Sequence, residues 1–180
     1  GRDGGAGNPD VPDDFRIAYL YRDVPGRPAV FGRETWLGVL QHFLHLERDG
    51  DRETVLFPRF QQLDAVQKLL GHAGAHGPGH NYLIQHSAGT GKSNTIAWAA
   101  HQLVTLHDAA DRPVFSTAIV VTDRVVLDRQ LQGTVGQFEQ TPGLVRKIDG
   151  TSAQLKVAIE SGARIIITTI QKFGTDHLRT

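Results

Sequence analysis

Apolar residues recur along this chain with two different rhythms, and the change falls near residue 80. Before it the spacing is helical. Trp36, Leu40, Phe43 and Leu44 predict an amphipathic helix over 33–46, and Leu63, Val66, Leu69 and Leu70 predict a second from near Phe60. Between them "ERDGDRET" (47–54) reads as a charged turn. The second helix is expected to dissolve in "GHAGAHGPGH" (71–80), a loop with four glycines. Upstream, residues 1–14 read as a Gly/Pro/Asp-rich linker, "FRIAYLY" (15–21) as a short strand, and Pro25, Gly26 and Pro28 as a break.

After residue 80, strands alternate with helices. "NYLIQ" (81–85), "TAIVVT" (117–122) and "RIIITT" (164–169) are short apolar runs of strand length. Between them lie a helix over 92–106 with Ile96, Ala100 and Leu103 inward, and another carrying Leu127, Leu131, Val135 and Phe138. A third, capped by Ser152 and stopped by Gly162, turns Leu155 and Ile159 inward. Near-continuous apolar strands separated by helices predict an α/β fold with a parallel sheet covered on both faces.

Composition narrows this picture by exclusion. A chain of 180 residues is long enough for a domain with a real core. Nineteen basic residues against nineteen acidic ones leave no bulk field for nucleic acid, so such binding must rest on local groups. The absence of cysteine excludes disulfides and thiolate metal sites. No apolar run approaches the ~18 residues of a membrane span, and "GRDGGAGNPD" lacks the apolar core of a signal peptide. Methionine is absent even from position 1, so the chain reads as a piece of a longer polypeptide. Nine histidines raise the question of a metal. His72, His76 and His80 stand four apart, but in a Gly/Pro-rich stretch where helical spacing carries little meaning, and a site is not expected there. His42 and His45 read as the polar edge of the first helix.

The chemistry concentrates in "QHSAGTGKSN" (85–94). A bound triphosphate needs converging backbone N–H groups and the N-terminus of a helix. Gly89 and Gly91 stand where the turn needs positive φ or close approach, while His86 replaces the first glycine of the usual pattern where the backbone is still extended. Lys92 is then the cation for the β- and γ-phosphates, and the Ser93 hydroxyl a ligand for Mg²⁺. The alternative is a Gly-rich turn that opens a helix and binds nothing. Gln62, upstream in "FPRFQQLDAV" (57–66), has the donor–acceptor pair that fits the N6/N7 edge of adenine, or is simply exposed. Thr122, Asp123 and Arg124 follow one buried strand, and Thr168, Thr169, Gln171 and Lys172 end another. Ligands of open α/β sheets bind at such strand ends, so these groups are candidates for nucleic-acid phosphates. Capping the following helix is their other use.

Taken together, these blocks resemble the restriction (motor) subunit of type I restriction-modification enzymes, within the superfamily 2 helicases. "FPRFQQLDAVQKLL" is similar to that family's adenine-reading segment. "YLIQHSAGTGKSNTIAWAAHQL" is similar to its Walker A region, His86 included. "IVVTDRVVLDRQLQ" resembles its motif Ia, "IIITTIQKF" the strand before Walker B, and "GGAGNP" (4–9) the end of its nuclease-to-motor linker. Gln61 stands where the family usually has histidine, and Val125 where a second arginine is usual. The resemblance implies a RecA-like P-loop sheet, incomplete here, over 57–180, preceded by a linker and helical segment over 1–56. It implies ATP with Mg²⁺ at Gln62, Ser87, Ala88, Gly89, Thr90, Gly91, Lys92, Ser93 and Asn94, with Lys92 in the catalytic role. DNA contacts fall to Thr122, Arg124, Thr169 and Gln171. The implied partners are double-stranded DNA and the specificity and methylation subunits of a cytoplasmic, prokaryotic complex. The whole enzyme would translocate DNA with ATP and then cut it.

An apolar strand ending in Asp-Glu, which would hold Mg²⁺ and orient water, does not occur in these residues. This stretch alone is therefore expected to bind ATP without turning it over. Two other readings are a different P-loop phosphotransferase and a truncated, non-catalytic remnant.

Overall fold

The computed structural model describes residues 32–50, 52–123, 125–138, 143–148 and 151–173, without the side chains of 48, 49, 52, 125–130 and 173. The strand expected over 15–21 and the candidate Arg124 lie outside the described residues. Two compact units emerge. Of the described residues, those up to Asp64 together with Leu83–Gly91 form one, and Ala65–Tyr82 with those from Lys92 onward form the other.

In the first unit, helix α1 (Arg33–His42) ends sooner than the apolar spacing predicts. Its buried stripe is Thr35, Val39 and then Phe43, while Leu37 and Leu40 are exposed. The residues expected to prolong it, and the charged "turn" after them, form an antiparallel hairpin instead. Strand β1 (His45–Asp49) pairs with β2 (Arg52–Leu56) in a register that places Asp49 opposite Arg52. Only two residues remain for the loop, and Gly50 at φ +58° supplies the positive φ that tight hairpin turns need. His45 is accordingly a strand residue rather than the edge of α1.

Helix α2 (Phe60–His76) runs into the stretch expected to be a loop. Gly71 and Gly74 are tolerated because Leu63, Val66 and Ala73 continue a buried stripe through them. By contrast, "NYLIQ" is not a strand. Tyr82, Leu83 and Ile84 are exposed, Leu83 at 90 %, and residues 81–85 pair with no strand among the described residues. An apolar run becomes a strand only when a neighbour completes its hydrogen-bond ladder, and composition alone does not supply one.

The second unit holds a three-stranded parallel sheet in the order β3 (Ala118–Thr122), β5 (Ile165–Thr169), β4 (Val145–Lys147). Strand β4 carries only one apolar residue and has no sequence signal of its own. Central β5 is buried at all five positions, so both of its faces are covered. Helices α3 (Lys92–Val104) and α4 (Val125–Gln137) pack against each other and against β3 and β5. Trp98 meets Phe138 edge to face at 5.4 Å. On α3 the buried residues are Thr95, Ala97, Trp98, Ala100 and Val104, so Ile96, expected inward, is exposed. Helix α5 (Ser152–Glu160) buries Leu155 and Ala158 against Ile166, Ile148 and Ala163, and leaves Ile159 outside.

The N-cap of α5 is Thr151 rather than Ser152, while Gly162 stops the helix as expected. At φ +71° its N–H meets the Ile159 carbonyl and the Ala163 N–H meets that of Ala158, the paired bonds of a Schellman stop. No described helix is long and apolar enough to cross a membrane.

Among the described residues, central β5 holds a buried polar atom left over. Thr168 is fully buried in β5 and its hydroxyl has no hydrogen-bond partner. Thr168→Val is expected to raise stability by about 1 kcal/mol, because the methyl group loses no hydrogen bond on burial. Urea unfolding tests it: the midpoint should rise at constant slope, and a lower midpoint would show that the hydroxyl is used.

Candidate functional site

The Gly-rich loop is held by side chains from the start of α2. Arg59 precedes the helix, which makes Gln62 its third residue, and the Gln62 Oε1 accepts the Arg59 backbone N–H at 2.8 Å. That is the returning half of a capping box. The same carboxamide turns its nitrogen to the loop, donating to the Thr90 carbonyl at 3.1 Å and the Gly91 carbonyl at 2.9 Å. The Arg59 guanidinium donates to the Gly89 carbonyl at 3.3 Å. Within the loop, the Thr90 hydroxyl donates to the Ser87 carbonyl at 2.8 Å. Gln62 and Thr90 are both 3 % exposed, so this lacing is largely shielded from water.

These bonds decide which way the loop's amides point. In a trans peptide the N–H lies opposite the C=O of the same plane, and no described peptide is cis. Three successive carbonyls, Gly89 to Gly91, are drawn toward Arg59 and Gln62. The N–H groups of Thr90, Gly91 and Lys92 therefore point the other way, as a run of donors suited to an anion. Gly89 and Gly91 take φ +75° and +77°, the positive values expected of them. Apart from Gly89 and its two chain neighbours, no heavy atom lies within 4 Å of where a Cβ would stand there, so a ligand can approach the backbone. Helix α3 opens at Lys92, directly after the loop in the chain, and like any helix carries unpaired N–H groups and the positive end of its dipole at that terminus. Lys92 is exposed, while Ser93 and Asn94 are half-buried and Ser87 and Ala88 lie on the surface. The loop thus opens a helix as expected, but no strand leads into it.

Sequence reasoning singled out Gln62 for adenine and passed over Arg59. The structure shows Gln62 occupied with the loop: both amide hydrogens and one oxygen lone pair are engaged. A glutamine three residues after a helix N-cap was the signal available for the capping bond. Nothing local in the sequence signals the Arg59–Gly89 contact, which spans 30 residues.

The second group of candidates gathers at the carboxyl ends of β3 and β5. Thr122 and Thr169 are register partners, so two segments far apart in sequence end side by side. The Gln171 amide donates to the Asp123 carbonyl at 3.0 Å and ties the two ends together. Gln171 is exposed and Thr122 half-buried, whereas Thr169 is buried at 3 %. The Lys172 ammonium donates to the Ile148 carbonyl.

These features suit an anionic ligand such as a polyphosphate. No curated protein and no solved structure shows significant similarity to the chain. The family model that does match is the SWI2/SNF2 ATPase, over residues 61–180.

Proposed function

Because the chain belongs to the SWI2/SNF2 ATPase family, a group of ATP-dependent, helicase-like motors, we propose that its laced loop is the ATP grip of a DNA-translocating motor in a type I restriction complex. The observation that carries the ATP assignment is the triple tether of Gly89, Thr90 and Gly91, which sets a run of N–H donors at the start of α3. Ser87 to Asn94 then wrap the phosphates. Lys92 reaches the β- and γ-oxygens, and the Ser93 hydroxyl is the protein's ligand for Mg²⁺. The open cradle at Gly89 and a hydroxyl on the second residue of α3 fit that pair of groups. Mg²⁺ when bound neutralises charge on the β- and γ-phosphates. Gln62 holds the loop and offers its remaining oxygen lone pair to the adenine amino group.

The DNA side of the motor is assigned to the joined ends of β3 and β5. Gln171 and Thr122 meet a strand's backbone there without reading its bases. Thr169 lies buried at 3 % beside Thr122 and holds the end of β5. Arg124 is a further candidate from the sequence alone. Sequence choice then belongs to partner subunits for specificity and methylation, in the cytoplasm of a prokaryote. The blocks resembling motif Ia and the strand before Walker B support this finer reading, as does their side-by-side placement.

The test is ATP hydrolysis by the complete open reading frame with and without double-stranded DNA. Stimulation of tenfold or more, about 1.4 kcal/mol off the barrier, is expected. Turnover indifferent to DNA but accelerated by a small acceptor molecule would assign the loop to a phosphotransferase instead.

A further inference from the structure

The histidines at the end of α2 take no part in the loop. Because α2 runs to His76, His72 and His76 lie one turn apart on one face, and their spacing has helical meaning after all. Their rings stack at 4.0 Å. Beyond the helix the chain turns at Gly77 and Gly79, with φ of +73° and +99°. His80 then stands edge-on to both, 5.1 Å from His72 and 5.6 Å from His76 between ring centres.

The hydrogen bonds of two of these rings engage Nδ1 and leave Nε2 for another partner. His76 Nδ1 lies 3.0 Å from the His72 backbone carbonyl. A carbonyl only accepts, so Nδ1 carries the hydrogen and the lone pair of the neutral ring sits on Nε2. His72 Nδ1 is engaged by the Tyr82 hydroxyl at 2.9 Å, which leaves Nε2 as its other nitrogen. An outer partner on one nitrogen that orients the other is the usual support of a metal-bound histidine. All three side chains are exposed and turn without disturbing a core.

We propose that His72, His76 and His80 together bind one divalent transition-metal ion of the imidazole-preferring class: zinc, nickel or copper. No Asp or Glu occurs between Ala65 and Tyr82, so hard cations find no carboxylate there, and borderline metals are favoured. Among the described residues no three such side chains already converge around a metal-sized position. The ion closes the site by rotating imidazoles that the fold has gathered. Once bound, it clamps the Gly77–Gly79 turn to the end of α2.

Titration of the whole chain with Co²⁺ alone, followed by its visible absorption, tests the proposal. One equivalent should bind with a tetrahedral spectrum and be displaced by Zn²⁺. His72→Ala, His76→Ala and His80→Ala should each weaken binding at least about tenfold. His107→Ala, an exposed histidine outside the cluster, should leave it unchanged. A measurement free of any substitution accompanies these: sub-stoichiometric Cu²⁺ should broaden the imidazole NMR signals of the three before those of the other histidines. No binding by the unaltered chain, equal loss in His107→Ala, or uniform broadening across all histidines would each overturn the assignment.

Discussion

Lys92→Ala is expected to abolish ATP binding by this chain, lowering affinity by at least about a hundredfold, or ~2.7 kcal/mol. The argument is one of charge. The loop supplies N–H dipoles, and Lys92, on the first residue of α3, is the full positive charge that adjoins them in the chain, the Arg59 guanidinium being engaged with the loop's carbonyl side. Stability is a separate reading: a cation on the first turn opposes the helix dipole, a repulsion that its removal relieves. Titration with a fluorescent ATP analogue, alongside urea unfolding, separates the two effects. Lys92→Arg should recover only part of the affinity, because a planar fork does not substitute for a compact ammonium in a tight turn. Unchanged affinity in Lys92→Ala would mean that the loop is a structural turn.

Gln62→Ala is the second large effect. It removes the cap on the Arg59 N–H and both donors that hold the Thr90 and Gly91 carbonyls. Groups left unpartnered in a shielded site cost about 1–3 kcal/mol each, and partial rehydration brings the expected loss to about 2–4 kcal/mol. ATP affinity should fall as well, because the N–H groups are no longer held in line. Gln62→Glu separates the two roles. A carboxylate still accepts the Arg59 N–H, but it repels the loop carbonyls instead of donating to them. The expected result is a capped α2 with an ATP affinity as low as that of the alanine variant. If Gln62→Glu binds ATP normally, the tether does not organise the loop.

How far these features are legible in sequence differs element by element. The Schellman stop at Gly162 and the positive φ of Gly89 and Gly91 depend on one residue's backbone freedom, and all three are read correctly from the chain. The strands at 118–122 and 165–169 and the helices between them follow from uninterrupted β-branched runs and helical spacing. Which stripe of a helix turns inward is less legible. Helix α3 offers Ile96–Ala100–Leu103 and Ala97–Ala100–Val104 with nearly equal claim, and tertiary packing, in which Trp98 meets Phe138, buries the second. The same ambiguity moved the buried stripe of α1 by one residue and replaced Ile159 with Ala158 on α5.

For the candidate site, residue types were visible and their relations were not. The chain by itself determined the α/β class, the Gly-x-Gly-Lys-Ser loop at the opening of a helix, and the polar ends of two buried strands, because each depends on local backbone preference or short-range periodicity. Tertiary structure decided that Gln62 and Arg59 face the loop and that Thr122 lies beside Thr169. It also decided that "NYLIQ" pairs with no strand among the described residues, that "HLERD" is a strand and that three histidines meet. Each of these outcomes needs a hydrogen-bond or packing partner from elsewhere in the chain, and a residue's own preference cannot say whether that partner arrives.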